Sequence, residues 1–321
     1  MSENDASMSA LIYSKINRDF KERKRIQPTD VWYPDFSRKD ITQMGEMFKY
    51  SDLAGVDFSH WDTSKVTSMN GMFKRASNIP ESIGNFNTEN VTDMNYAFDG
   101  TDNAPESIGN WNTSNVKSMC YTFEDARNIP EGIDKWNTSN VTDMCGMFLE
   151  ARNILGNIGN WDTSKVTKKN RMFEKAQNIS KSIGNWNTSS VTDMSGMFDG
   201  ARDIPASIGK WNTSNVTIMK YMFRGTRNIP GSIGNWDTSN VTDMCYMFSK
   251  ARDIPESIGK WDTSNVTDMC FLFDNAKNVP EGVTKWNIES LTKRSGLLSG
   301  AKSVPSSVSY WHWRMDNSCR I

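Results

Sequence analysis

Histidine, the side chain best suited to acid–base chemistry near neutral pH, occurs only twice in this sequence, as His60 and His312. The two lie about 250 residues apart, so neither a histidine-based catalytic triad nor a histidine metal cluster can be built from them. The glycine patterns that cradle phosphates and dinucleotides are also missing from the sequence. We therefore expect a protein that is not an enzyme and that uses no cofactor.

The cysteines offer a second kind of chemistry. Four of the five form two pairs with a spacing of 25 residues, Cys120 with Cys145 and Cys245 with Cys270. Two thiols per pair are too few ligands for a metal site, and a disulfide would require an oxidising compartment. Most other repeats hold Gly, Asn or Ser at the same position, so a column of small residues is the simpler interpretation. We expect no metal, and free thiols in both pairs.

Basic side chains recur with the same spacing at another position, and we call this set the basic column. Its members, all candidate binding residues, are Arg127, Arg152, Arg202, Arg227, Arg252, Lys277 and Lys302. One interpretation is local, because a cation in the last turn of a helix complements the helix dipole by about 0.3–1 kcal/mol. The other is a charged stripe that attracts a polyanion or an acidic partner. We favour the local role and expect in addition a weak, salt-dependent interaction with acidic polymers.

A second basic cluster lies where the repeats depart most from their rule, at 149–180. Lys168, Lys169 and Arg171 are crowded into one segment, and Lys169 takes a position that is Met in most other copies. Sequence drift is one explanation. A local partner site is the other, because a broken rule without local gain often marks function. These three residues are therefore further candidate binding residues.

A period of 25 residues positions all these candidates. Phe36 and Phe86 occupy two positions of a column that is otherwise tryptophan, and its spacing from 36 to 311 corresponds to eleven periods without drift. The tryptophans are Trp61, Trp111, Trp136, Trp161, Trp186, Trp211, Trp236, Trp261, Trp286 and Trp311. A fixed period of this length indicates a solenoid or array. Stacked repeats bury a continuous core and present extended binding surfaces.

Each repeat reads W-[DN]-T-S-x-V-T-x-M-x-x-M-F-x-x-A-x-N-I-P-x-S-I-G-x. In the copy that begins at Trp236, Val241, Met244, Met247 and Phe248 are spaced as one face of a short helix, with Thr242 as its N-cap. The β-branched and aromatic W-[DN]-T-S-x-V stretch predicts a short strand near the Trp. The fold class is therefore an α/β solenoid of eleven units, each with a short strand and a short helix. Its Trp column should be buried.

Three regions follow from the repeat. Residues 1–35 predict an N-terminal cap helix and linker, 36–298 the solenoid, and 299–321 a C-terminal cap. The net charge of −1 gives no global field that would select a nucleic acid or a membrane. No apolar run reaches the length of a membrane helix, and the first residues do not read as a secretory signal. We expect a monomer that is intracellular or virion-associated rather than secreted.

The string W-[DN]-T-S-x-V-T-x-M-x-x-M-F stands nearly intact at 61–73, 136–148, 186–198 and 236–248. It resembles the repeats of BspA-family leucine-rich-repeat surface proteins, and more narrowly the branch known from mycoplasma lipoproteins, which also occurs in protists and large DNA viruses. The resemblance covers roughly residues 36 to 300. It implies a leucine-rich-repeat-like stack and a role in recognition or adhesion.

Two functions remain open from the sequence. The first is a non-catalytic repeat protein that provides an extended surface for protein or glycan recognition, with a ligand of unknown identity. The alternative is a structural or scaffold component, such as a virion-associated protein. A binding face should concentrate its irregularities on one patch, whereas a scaffold should keep its faces uniform.

Overall fold

The computed structural model of the protein describes residues 42–154 and 156–308. The chain divides into two compact units, Met1–Trp161 and Asp162–Ile321, and each is described by itself. Each repeat makes one coil of a stack. The predicted N-terminal cap at 1–35 lies outside the described residues, as does the part of the predicted C-terminal cap that follows residue 308.

Parallel β-bridges join successive coils in register. They connect Gln43, Ser68, Asp93, Ser118 and Asp143 in the first unit, and Lys168, Asp193, Ile218, Asp243, Asp268 and Lys293 in the second. A second contact pairs strand β1 (Asn128–Ile129) in parallel with strand β2 (Asn153–Ile154). Partners in both ladders lie one repeat apart, which confirms the predicted solenoid of short strands.

The M-x-x-M-F segment is a series of turns rather than the predicted helix, and no α-helix occurs in 42–154 or 156–308. Within one coil, the Met222 amide donates to Met219 O at 3.2 Å, while the Tyr221 amide donates across to Cys245 O in the next coil at 3.0 Å. Tyr221 has a φ of 59°. An α-helix needs every amide to reach back four residues. In this segment every second amide donates to a carbonyl of the next coil, so the amides needed for an α-helix are not available. We call residues 219–225, and the residues at the same positions in the other repeats, the turn ladder.

The short helix of each repeat is a 3-10 helix in the S-I-G segment. These helices are Glu81–Asn85, Glu106–Asn110, Glu131–Lys135 and Ile158–Asn160 in the first unit, and Lys181–Asn185, Ala206–Lys210, Gly231–Asn235, Glu256–Lys260 and Glu281–Lys285 in the second. Most follow a proline at the N-cap, where its missing N–H and fixed φ are tolerated. Among the described residues, no helix has the length and apolarity to cross a bilayer.

The residues after the Trp form a turn, not the predicted strand. The Ser239 amide donates to Asp237 Oδ1 at 3.0 Å, which is an Asx turn. The Thr238 hydroxyl donates to Asp262 O of the next coil at 2.8 Å. The recurring [DN]-T-S residues therefore form a ladder of side-chain hydrogen bonds between coils. The β-bridge that joins successive coils lies just before the first Met of each repeat.

The apolar columns form the core of each unit. The Trp236 side chain is 4% exposed, and Val241, Met244 and Phe248 are each 0% exposed. The Trp236 ring lies 6.4 Å from the rings of Trp211 and Trp261, and its indole N–H donates to Ile208 O at 2.9 Å. The predicted burial of the Trp column is confirmed for this stack.

Candidate functional site

The basic column is exposed along both units. The Arg252 amide donates to Thr226 O of the preceding coil at 2.9 Å, which fixes its backbone while its side chain faces solvent. Since no α-helix ends before this position in the described residues, the helix-dipole explanation is wrong. In the first unit, Arg127 Nε lies 3.0 Å from an Asp102 carboxylate oxygen, and both side chains are mostly exposed.

The cluster at 168–171 is split between surface and core. Lys168 is exposed, but Lys169 is 0% exposed and its Nζ donates to Val166 O at 2.8 Å. Burial lowers the pKa of Lys169 to about 7. Lys169 therefore cannot meet a surface ligand, which corrects its selection as a binding residue. Arg171 is exposed and pairs with Glu174 Oε2 at 2.6 Å.

A depression of about 410 Å³ opens on the turn ladder of the second unit. It forms at a repeat position that is glycine in some coils and a long or aromatic side chain in the others. Three successive coils hold Arg171, Gly196 and Tyr221 at this position. All three have positive φ, at 58°, 62° and 59°. Because Gly196 has no side chain, the space between Arg171 and Tyr221 stays open.

The lining of the depression comes from three coils. It consists of Asn170, Arg171, Glu174, Asp193, Ser195, Gly196, Asp199, Lys220, Tyr221 and Arg224. Each coil contributes equivalent positions, so the register of the stack sets the spacing of these polar groups. The site is a regularly spaced set of polar side chains carried by the hydrogen-bonded backbone of three coils.

Two ion pairs fix the walls. Arg224 Nε donates to Asp199 Oδ1 at 3.0 Å, and a second Arg224 nitrogen lies 2.5 Å from Asp199 Oδ2. Burial raises the pKa of Asp199, and the hydrogen bond from Arg224 opposes that rise. Glu174, the partner of Arg171, is only 6% exposed. Both walls therefore present held guanidinium groups rather than freely moving ones.

Tyr221 forms the aromatic part of the wall. Its ring stacks on Tyr246 with centroids 5.1 Å apart, and the Arg224 guanidinium lies 4.8 Å from its centroid. Burial raises the pKa of the Tyr221 phenol, so its hydroxyl stays protonated at neutral pH. It is thus available as a hydrogen-bond donor and acceptor.

The lining side chains carry no net formal charge. Arg171, Lys220 and Arg224 are balanced by three carboxylates, those of Glu174, Asp193 and Asp199. The arrangement is suited to holding a polar molecule through many hydrogen bonds.

Of the candidates chosen from the sequence, only Arg171 lines this depression, and no member of the basic column does. The residues that sequence reasoning missed are those of the flanking coils, above all Asp199, Tyr221 and Arg224. The repeat alignment carried only a weak signal. Gly146 also stands between long side chains at this position, but there the Tyr121 ring fills the space.

The cysteine positions differ from the expectation in one case. Cys120, Cys145 and Cys245 are free thiols, as predicted, but Cys270 is disulfide-bonded, so the prediction is wrong for that residue. Asp243, Cys245 and Asp268 place three possible ligand atoms within 4.8 Å of one another. Burial, together with the Asp268 and Asp243 charges, raises the pKa of Cys245 to about 12. Acidic groups often lie close together without an ion, and we assign no ion to this cluster.

The family described as "Mycoplasma protein of unknown function, DUF285" matches residues 14–131, 118–229 and 199–313. The chain belongs to this family. The three overlapping matches of this DUF285 protein run over almost its whole length, as the unbroken repeat requires. A comparison with curated proteins gives no match.

Among solved structures, the DUF285 chain is similar to leucine-rich-repeat proteins. The plant peptide hormone receptor RGFR1 in complex with RGF2 has 16% identity and a TM-score of 0.46, covering 77% of this chain and 38% of the receptor chain. A leucine-rich-repeat protein of Leptospira interrogans has 13% identity and a TM-score of 0.48, covering 77% of this chain and 58% of the other.

A third similar structure is the leucine-rich-repeat ectodomain of the Arabidopsis thaliana membrane receptor kinase GASSHO1/SCHENGEN3 in complex with CASPARIAN STRIP INTEGRITY FACTOR 2. It has 14% identity and a TM-score of 0.43, covering 82% of this chain and 32% of that one. The DUF285 chain thus spans less than two thirds of the length of each of these three proteins.

Proposed function

We propose that this DUF285 chain is a non-catalytic recognition module that binds a protein or glycan ligand at the depression around Gly196. The observation that carries the proposal is the cavity of about 410 Å³ with ten polar or small lining residues from three coils. Ligand sites are concave and largely preformed, and here the backbone ladder and two ion pairs supply that rigidity. In this proposal the solenoid at 36–298, with a cap at each end, is the scaffold that carries the depression.

Two further points support recognition over a scaffold role. The resemblance to BspA-family surface proteins implies recognition or adhesion. The irregular region at 149–180 contributes Asn170, Arg171 and Glu174 from its coil to the depression, as a binding face with concentrated irregularities should.

Filling the depression should abolish ligand capture without unfolding the protein. We expect Gly196→Tyr to be tolerated, because Tyr221 and Tyr246 occupy the same position in other coils at φ 59° and 56°, against 62° for Gly196. A Cβ at Gly196 would meet Arg171 Cγ at 3.4 Å and Glu174 Oε2 at 4.0 Å, which are ordinary contact distances. The added ring should take up the open volume beside the Arg224 guanidinium, which lies over the Tyr221 ring. The measurement is capture of ligands from extracts of the native host on the immobilised chain, followed by mass spectrometry.

The matched control is Gly71→Tyr, at the same position of a coil in the first unit, with φ 62°. Ligands that the unchanged protein captures should no longer be captured by the Gly196→Tyr variant, whereas the Gly71→Tyr variant should still capture them. Equal retention by both variants and the unchanged protein would show that the depression is not the binding site.

The basic column supports a second, weaker interaction of the same module. We expect the triple change of Arg202, Arg227 and Arg252 to Gln to weaken binding to heparin by roughly 3- to 150-fold, since each exposed ion pair contributes ~0.2–1 kcal/mol. Heparin affinity of the unchanged chain should fall steeply with added salt, because exposed charges are screened over about 8–10 Å. Surface plasmon resonance at several salt concentrations measures both.

The control for this column is the change of Lys135, Lys210 and Lys260 to Gln, which removes three charges from the 3-10 helices. An equal loss of heparin binding in both triple variants would mean that net charge, not the column, decides the affinity. No binding of the unchanged chain at low salt would remove the polyanion role altogether.

A further inference from the structure

The depression around Gly196 differs from a protein-docking pocket in what lines it. None of its ten lining residues is an aliphatic hydrophobic or a Met, and its one aromatic is Tyr221. Protein–protein hot spots usually place an apolar or aromatic anchor in a dry, well-packed pocket. This cavity has no apolar floor for such an anchor, because Ser195 and Gly196 form the central coil's surface and Asp199 lies beside them.

Charge balance also restricts the ligand. The three cationic and three anionic side chains cancel, and two ion pairs, Arg171 with Glu174 and Arg224 with Asp199, are formed within the walls. The other two charged groups, Lys220 and Asp193, have opposite signs, so a ligand with a strong net charge would be repelled by one of them or would compete with a pair. The favoured occupant is therefore uncharged overall and rich in groups that both donate and accept hydrogen bonds.

The geometry of the polar groups fits hydroxyls. Ser195 Oγ and the Ser195 amide both donate to Asp193 Oδ1, the amide at 2.7 Å, so this lining carboxylate is held in place by its neighbour. Across the cavity, the Tyr221 hydroxyl and the Arg224 guanidinium supply donors. Adjacent hydroxyls of a sugar ring can donate to a carboxylate and accept from a guanidinium at the same time.

Resting on the proposed recognition function, we infer that the ligand of this depression is a neutral glycan. A cavity of about 410 Å³ lies near the lower end of the ~300–1,000 Å³ range of small-molecule sites, which suits a short oligosaccharide segment. The sugar lies on the Gly196 surface between Arg171 and Tyr221, with its hydroxyls toward Asp193 and Arg224. Sulfated or sialylated glycans are disfavoured in this depression, and any binding of such glycans would occur at the basic column.

The test is an array that carries neutral oligosaccharides of hexoses and N-acetylhexosamines together with sialylated and sulfated ones, probed with the full chain. We expect binding to neutral glycans that persists in about 1 M salt, where charges are screened beyond about 3 Å. Gly196→Tyr should reduce that binding at least about ten-fold because the added ring fills the cavity. Asp193→Asn should independently reduce it by a similar factor, because a hydrogen bond to a charged group is lost. Gly71→Tyr should not. Circular dichroism and thermal melting should show that all three variants fold.

Two results would overturn the inference. The first is binding confined to sulfated or sialylated glycans and lost in salt. The second is neutral-glycan binding that Gly196→Tyr and Asp193→Asn leave unchanged. If no glycan binds but host ligands are still lost with Gly196→Tyr, the glycan inference fails and the recognition function stands. If Gly196→Tyr changes neither measurement, both fail together.

Discussion

Replacing Lys169 by Met should stabilise the protein strongly near pH 7. The Lys169 side chain is 0% exposed, and the equivalent Met194 and Met219 are 0% exposed in their own coils. Lowering its pKa from 10.5 to about 7 corresponds to ~4–5 kcal/mol. We expect Lys169→Met to recover ~3–5 kcal/mol of that cost, a large share of the ~5–15 kcal/mol by which native proteins are stable.

The same change should alter the pH dependence of stability. The folded-state pKa of Lys169 is depressed, so the folded protein favours the neutral amine while the unfolded chain is protonated below about pH 10.5. The stability of the unchanged protein should therefore be highest above that pH, fall as the pH drops toward 7, and change little from this group below 7. Lys169→Met should remove this slope.

Urea denaturation at pH 7 and at about 9.5 measures both effects. The matched control is Lys168→Met, which changes an exposed neighbour and should shift stability by less than about 0.5 kcal/mol. If the unchanged protein were equally stable at both pH values, or if Lys169→Met were no more stable than Lys168→Met, the buried amine would not carry this cost.

Removing one indole from the Trp column should be the most damaging single change. Trp236→Ala should lower stability by ~3–5 kcal/mol, as truncation of a buried aromatic does. Trp236 is 4% exposed, stacks between Trp211 and Trp261 at 6.4 Å, and contacts Phe223 at 5.8 Å. Its loss leaves a cavity shared by three coils. The change in denaturation midpoint and free energy of unfolding is the measurement.

Trp236→Phe serves as the graded control. The protein already uses Phe86 in this column, where the ring is 5% exposed and stacks on Trp111 at 6.3 Å. We expect a smaller loss, ~1–3 kcal/mol, because the packing is largely kept while Ile208 O loses its indole donor. An Ala variant that loses less than about 1 kcal/mol would mean that the column contributes little to the stack.

The periodicity of the sequence determined which residues are buried, but not which secondary structure buries them. Val241, Met244, Met247, Phe248 and Ala251 are spaced as a helix face, and all are 0% exposed. A series of turns that returns to the core every three or four residues produces the same spacing. The choice between the two depends on where the amide groups find acceptors. Here Met244 and Tyr246 donate to Asp268 and Cys270 of the next coil, and those acceptors exist only once the coils are stacked.

The candidate site follows the same division. The sequence by itself determined the 25-residue register, and hence that Arg171, Gly196 and Tyr221 are equivalent residues of successive repeats. The register also places Lys169 in the buried Met column. Only the tertiary structure decided that Arg171, two residues later, faces the surface, because in the turn ladder side-chain direction depends on the local φ and on cross-coil hydrogen bonds. It also decided that Arg224 reaches Asp199 across one coil. The distances between coils are set by backbone stacking, and they cannot be read from the amino-acid sequence.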